Sequence, residues 1–300
     1  MRTRDLTDLL LLAALWGASF LFMRYAAPAF GPIALAEVRV AVAAAVLLPL
    51  FLRPQNLAAL RAHVGPIALV GTLNSALPFA LFAYATLTLT AGFTAVINAT
   101  TPMTAALVGW VWLRSRIRPS QWLGLAIGLA GVVVLVWGKI DWRPGSSEWN
   151  TTLAVAAGLV GASAYGVAAN YARARLERVA SPVVAAGSQI AAAVVLLPLA
   201  IAYWPAVPPP PSSWLAAIAL GVFCTGLAYL LYFRLIARLG AMRAAAVTFL
   251  IPAFAALFEW LLTDTAISAQ MLAGALVIFV GTALTLGFIN VGERQRASLR

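Results

Sequence analysis

Ten apolar stretches follow one another along this chain, at 7–23, 32–52, 64–84, 90–113, 120–137, 152–172, 182–203, 213–233, 241–262 and 268–289. A hydrocarbon core about 30 Å thick is crossed by about 20 residues of helix. Backbone groups in lipid must pair within their own segment, so a succession of this kind predicts a bundle of transmembrane helices rather than open sheet. A soluble domain carries roughly 25% charged residues because its surface faces water. Here the charged share is 10%, the hydrophobic share 63% and the mean hydropathy +0.95. That excludes a soluble fold, and the connections, of which 138–151 and Pro208–Pro211 are the largest, leave no room for an extra soluble domain.

The first stretch follows Arg2 and Arg4 and ends near small residues, as a signal peptide would. Asp5 and Asp8 spoil the basic leader, and the apolar run continues through Phe20, Leu21 and Phe22, so it is expected to stay as the first helix. Arginine and lysine in alternate connections number sixteen on one side and three on the other (Arg24, Lys139 and Arg143). By the positive-inside rule the richer side is cytoplasmic, which puts both termini there in a bacterial inner membrane. The net charge of +11 is thus dispersed in short clusters rather than gathered in the patch that a nucleic-acid footprint needs.

The chain also matches itself at a shift of 150 residues. Pro102 meets Pro252, Ala105-Ala106-Leu107 meets Ala255-Ala256-Leu257, Trp110 meets Trp260, Ile117 meets Ile267, Gly124 meets Gly274, and Gly131 meets Gly281. Nearby shifts align Gly17-Ala18-Ser19 with Gly161-Ala162-Ser163 and Val46–Leu50 with Val195–Leu199. Each copy holds five stretches, an odd number, so the second must insert upside down relative to the first. The expected organisation is a first five-helix repeat at 1–137, a periplasmic linker at 138–151, an inverted second repeat at 152–289 and a cytoplasmic tail at 290–300. Inverted repeats that close around a midplane site from alternate sides characterise secondary carriers.

Several segments resemble the drug/metabolite transporter superfamily, in its EamA-type branch of ten-helix carriers. They are Ala14-Leu15-Trp16-Gly17-Ala18-Ser19-Phe20, Ala36-Glu37-Val38-Arg39, Ala76-Leu77-Pro78-Phe79-Ala80-Leu81, Thr101-Pro102, Ile251-Pro252 and Glu259. The resemblance runs from about residue 7 to 289 and is nearest to the YddG-type amino-acid exporters. It implies an all-α integral membrane fold of two inverted five-helix repeats. It also implies export of aromatic and other neutral amino acids by alternating access, without a cofactor or metal. The acid that the family often carries near the end of helices four and nine is Glu259 here. The first copy has Gly109 instead, so a role needing both acids is not carried over.

A carrier needs polar groups facing a cavity, since such groups facing lipid are costly. Asn74 and Asn98 fall near mid-span, Thr101 adjoins Pro102, and Ser188 is a weaker candidate. Pro78, Pro102 and Pro252 each remove a backbone donor and are expected to kink their helices. Trp16, Phe79, Tyr84, Tyr165 and Tyr229 are candidates for cavity walls, whereas Trp110, Trp112, Trp122, Trp142, Trp149, Trp204, Trp214 and Trp260 read as interfacial anchors. The same polar residues could serve only as glue between helices. Glu37, Arg39 and Glu259 fall toward the periplasmic third. There they either snorkel to the interface or, more sharply, form a gate in which Arg39 pairs with Glu259. Gly124-x-x-x-Gly128, Gly131, Gly274 and Gly281 make small faces for close helix contact, within the chain or with a second copy, and a monomer is the default.

Catalysis finds no footing in the sequence. One histidine, His63, and one cysteine, Cys224, make neither a metal cluster nor a nucleophile–base pair, and no phosphate-binding glycine loop occurs. A channel would call for a filter segment, and none is seen. The expected partners are a small-molecule substrate and the lipid bilayer. Nucleotide sugars, sugar phosphates, lipid-like cargo and drugs stand as alternatives to amino acids.

Overall fold

The computed structural model describes residues 3–114, 117–137, 147–239, 247–263, 268–285 and 288. The greater part of the linker at 138–151, the tail at 290–300, Trp142, Ile267, and Arg2, Arg116, Lys139, Arg143 and Arg243, on which the charge asymmetry partly rests, lie outside them.

Among the described residues, ten apolar helices carry the fold. In the first half they are α1 (Thr3–Phe30), α2 (Pro32–Phe51), α3 (Val64–Thr86), α4 (Ala91–Leu113) and α5 (Pro119–Leu135). In the second half they are α6 (Ser147–Leu176), α7 (Ser181–Ala202), α8 (Pro211–Tyr232), α9 (Val247–Leu262) and α10 (Ala269–Thr285). Seven are long and apolar enough to cross a bilayer on their own, and α5, α9 and α10 are shorter apolar helices. A further short helix, Pro54–Ala62, has no buried residue. Large apolar side chains stand open on the outside, including Val111, Leu129, Val194 and Leu215, each more than 60% exposed. Trp110, Trp112, Trp122, Trp204, Trp214 and Trp260 are exposed as well. Continuous apolar surface of this kind suits lipid and would aggregate in water.

α1 and α6 are longer than their apolar cores at 7–23 and 152–172. α1 runs on past Arg24 because that arginine finds a buried partner in Glu259 at 2.9 Å. It stops at Gly31, whose φ of 73° lies in the left-handed region, and Pro32 opens the next helix with a ring already set to helical φ.

The main helix contacts between the halves repeat when the halves are exchanged. α5 lies along α10, α2 along α7 and α4 against α9, while α1 on α9 is matched by α6 on α4. In the same way α1 on α8 is matched by α6 on α3, and α2 on α8 by α7 on α3. The glycine faces of α5 and α10 meet each other: a Cβ on Gly124 would stand 2.6 Å from Gly281 O, and one on Gly131 2.7 Å from Ile278 N. The close approach they permit is thus internal.

One sequence match shifts. Gly17 abuts Phe254 and Ala255, and the residue with the equivalent neighbours, Thr104 and Ala105, is Gly166 rather than Gly161, which faces Phe82. Gly-Ala-Ser recurs as letters, but helix-to-helix contact sets the structural register.

Candidate substrate cavity

Two π-helical turns organise the centre, at Thr72–Ala76 in α3 and Val222–Leu227 in α8. They are 150 residues apart, as the repeat requires. Leu77 N bonds Thr72 O and Ala228 N bonds Phe223 O, each five residues back. In α8 the Thr225 hydroxyl donates to Leu220 O at 2.9 Å, taking up a carbonyl in the widened turn. Each π-turn follows a glycine that lets a neighbouring helix press in. A Cβ on Gly71 would collide with Ser188 O of α7, and one on Gly221 would come within 3.0 Å of Arg39 O of α2. π-turns inside α-helices concentrate at functional sites.

This approach joins two side-chain pairs across the halves. Arg39 Nε donates to Thr225 Oγ1 at 2.9 Å, and Gln189 Nε2 donates to Ser75 Oγ at 2.8 Å. Beside the second pair, Asn74 Nδ2 donates to Tyr229 Oη at 3.1 Å.

Between the halves lies a cavity of about 360 Å³. Most of its lining comes in equivalent pairs, one member from each half: Trp16 and Tyr165, Phe20 and Ala169, Asn74 and Cys224, Phe79 and Tyr229, Phe82 and Tyr232, Asn98 and Thr248, Thr101 and Ile251. Two aromatic contacts repeat with it. Trp16 packs on Tyr232 with centroids 5.2 Å apart, and Tyr165 stacks on Phe82 at 5.9 Å.

The cavity therefore brings together Trp16, Arg39, Asn74, Phe79, Asn98, Thr101, Pro102, Tyr165 and Tyr229 of the sequence candidates. Tyr84, Ser188, Pro78, Pro252, Glu37 and Glu259 are not among its lining. Ser188 is buried behind the wall, bonded to Ala185 O at 2.8 Å. Pro78 and Pro252 belong to the helices, and Pro252 sits within a continuous α9. At Pro102 the helix does break, between Asn98 and Thr101. The carbonyl released at Asn98 accepts from the Thr101 hydroxyl at 2.7 Å, and that of Ala99 from Thr282 at 3.1 Å. Phe82, Cys224, Tyr232 and Thr248 were missed by sequence reasoning, although the 150-residue register applied to Phe79, Asn74 and Asn98 leads to their neighbours or to themselves.

Arg39 is buried against the cavity and does not snorkel outward. Its guanidinium stacks on the Phe79 ring at 3.6 Å, and Nη1 approaches Met23 Sδ at 3.5 Å. A cation at the centre of a membrane-spanning helix costs about 2.5–3.5 kcal/mol on insertion scales. Desolvated cation–π stacking returns about 2 kcal/mol, and a hydrogen bond from a charged group about 1.5–3 kcal/mol, so Phe79 and Thr225 suffice to hold it.

The expected Arg39–Glu259 pair does not form. α1 and α9 run side by side in the same direction, with Gly17 on Phe254 and Ala255, and this register carries Arg24 to Glu259 about two turns on. Glu259 is 3% exposed. It accepts from Arg24 Nη1, from Ala91 N and from Gly92 N, each at 2.9 Å. Its carboxylate thus covers the N-terminus of α4, where unpaired N–H groups and the helix dipole favour an anion. Glu37, two residues before Arg39, is buried with Oε2 unpartnered among the described residues.

Comparison with known proteins agrees with this architecture. The model of the EamA-like transporter family matches twice, over residues 8–137 and 152–287. The uncharacterized transporter YoaV of Bacillus subtilis (strain 168) is 23% identical over 271 residues, covering 89% of this chain and 91% of that protein. The uncharacterized inner membrane transporter YedA of Escherichia coli (strain K12) is 27% identical over 303 residues, covering 96% and 94%. The aromatic amino acid exporter YddG of Ancylobacter novellus is 34% identical over 140 residues, covering 43% of this chain and 47% of that protein. A solved crystal structure superposes with a TM-score of 0.68 at 22% identity, covering 99% of this chain and all of the other, and shares the fold. The relatives are transporters and not enzymes, and two family matches, one to each half of an all-helical membrane fold, establish that this chain belongs to the EamA-like transporter family.

Proposed function

We propose that this transporter exports small metabolites, foremost aromatic and other neutral amino acids, by alternating access. The observation that carries the proposal is the aromatic lining of the cavity, paired between two equivalent halves, with Asn74 and Asn98 beside it. A volume of about 360 Å³ lies at the small end of ligand pockets, roughly 300–1,000 Å³. The aromatic pairs suit a planar apolar body. Asn74, Asn98, Thr101 and Thr248 offer hydrogen bonds to a polar head. Cargo bearing several phosphates would call for more cations than the one that lines this cavity, which disfavours nucleotide sugars and sugar phosphates.

In this scheme the halves rock about the axis that relates them, exposing the cavity to each side in turn. The cluster of Arg24, Glu259 and the α4 N-terminus ties α1, α9 and α4 together at the end expected to face the periplasm, and it must loosen when that end opens. The protein acts as a monomer in a bacterial inner membrane with both termini in the cytoplasm. The test is uptake of labelled Phe, Trp, Met and Thr into proteoliposomes, with Asn98→Ala and empty vesicles alongside. Saturable uptake weakened by Asn98→Ala supports the proposal, and failure of the whole panel to move removes it.

A further inference from the structure

Of the residues lining the cavity one alone is charged, Arg39, and no carboxylate is among them. Arg39 is 5% exposed. Its Nε is committed to Thr225 at 2.9 Å and one face of its plane to Phe79 at 3.6 Å. The sole neighbour bonded to its Nη groups among the described residues is the Met23 sulfur at 3.5 Å, a weak acceptor. Other acids are engaged elsewhere: Glu259 takes Arg24, and Asp5 and Asp8 take Arg238. Glu37 is on the same helix, but two residues apart on a helix do not face one another. The outcome is a buried cation, fixed in position on two sides, whose remaining N–H groups have neither a counter-charge nor a strong acceptor among the described residues. A planar guanidinium held in this way fits a carboxylate through two parallel hydrogen bonds.

We infer that Arg39 docks the carboxylate of the cargo, so that the site selects small organic acids with one carboxylate and an apolar body. This rests on the proposal that the cavity is the cargo site. Amino acids enter as members of the class that also carry an ammonium group, which the Asn74 and Asn98 carbonyl oxygens can accept. With one cation and no anion on the wall, that ammonium adds repulsion from Arg39. A 2-hydroxy acid of the same shape is therefore bound at least as well as the amino acid. An amine of the same shape without a carboxylate is rejected, because it places a second cation beside the first.

The experiment is isothermal titration of the purified full-length protein with phenylalanine, 3-phenyllactate and phenethylamine, using wild type, Arg39→Gln and Arg39→Lys. Wild type is expected to bind phenyllactate no more weakly than phenylalanine and phenethylamine at least about tenfold more weakly, the loss of a charge-assisted hydrogen bond being of that order. Arg39→Gln is expected to lose both acids by a similar factor, and Arg39→Lys to recover part of it. If Arg39→Gln fails to fold, the three-ligand comparison on wild type decides alone. Phenethylamine bound as tightly as phenylalanine overturns the inference and leaves the exporter proposal in place, as do acids retained in full by a folded Arg39→Gln. If wild type binds neither acid, the inference falls and the exporter proposal falls with it.

Discussion

Gln189 and Ser75 are hydrogen-bonded at 2.8 Å in the place where, 150 residues away along both strands of the repeat, Arg39 and Thr225 are bonded at 2.9 Å. The duplicated fold keeps the geometry of a long donor on one helix and a hydroxyl in the facing π-turn, while the charge of the donor differs. Thr225→Val keeps the shape and removes the acceptor of Arg39. Its expected effect is a rise of about tenfold in the KM for uptake, equivalent to about 1.5 kcal/mol, read from the concentration dependence of uptake in proteoliposomes. An unchanged KM would mean that stacking on Phe79 alone fixes the guanidinium. Ser75→Ala leaves the buried Gln189 amide without its acceptor and is expected to lower stability by about 1–3 kcal/mol, measured by thermal unfolding in detergent.

Two glycines separate backbone strain from crowding. Gly31 has φ 73° with ψ 158° and open space around it, so Gly31→Ala and Gly31→Leu should cost about the same, roughly 1–3 kcal/mol of backbone strain. Gly221 has an ordinary helical backbone, but a Cβ there would stand 2.5 Å from Val42 Cβ. Gly221→Ala should cost about 1–3 kcal/mol by overpacking, and Gly221→Leu should prevent α8 from seating against α2. Comparing unfolding temperatures and folded yield of the four variants checks both claims.

Glu259 is expected to matter more to stability than its partner. Glu259→Ala leaves Ala91 N and Gly92 N unbonded, and each buried donor left unsatisfied in this way costs about 1–3 kcal/mol. Arg24→Met leaves the carboxylate on the helix terminus, and because the Arg24 side chain is 35% exposed water takes part in its solvation, so the loss should be about 1 kcal/mol or less. Equal losses in thermal unfolding would remove the helix terminus as the principal holder of the carboxylate.

Trp16 and Tyr165 occupy equivalent places against Tyr232 and Phe82. If cargo lies between the halves, Trp16→Leu and Tyr165→Leu should each raise the KM for aromatic substrates by about three- to tenfold, aromatic contacts contributing roughly 0.5–1.5 kcal/mol beyond area. Methionine uptake should suffer less in both. An effect confined to one of them would place the cargo against a single half.

The ten helices were legible because apolar length is a local property, and the 150-residue register because residues such as Gly131 and Gly281 make equivalent contacts, Gly131 on Ile278 and Gly281 on Gly128. The π-turns were not, since nothing in Thr72–Ala76 or Val222–Leu227 announces a bond five residues back; that geometry depends on α7 and α2 pressing on Gly71 and Gly221. That Arg39 turns to the cavity could not be read by counting from the helix end. A rise of 1.5 Å per residue locates the Cα, whereas the guanidinium goes where Phe79 and Thr225 receive it. The partner of Glu259 was missed for a related reason: Arg24 looked like a loop residue until the contact of Gly17 with α9 extended α1 around it.

The lining of the cavity is nearly a palindrome, and a palindromic chamber has no preferred direction for what it holds. Arg39, standing where the other half has the neutral Gln189, gives this one a pole. A molecule with a distinct head and tail can then lie one way round and not the other. Such a chamber sees the same end of its guest from whichever face of the membrane it is open to.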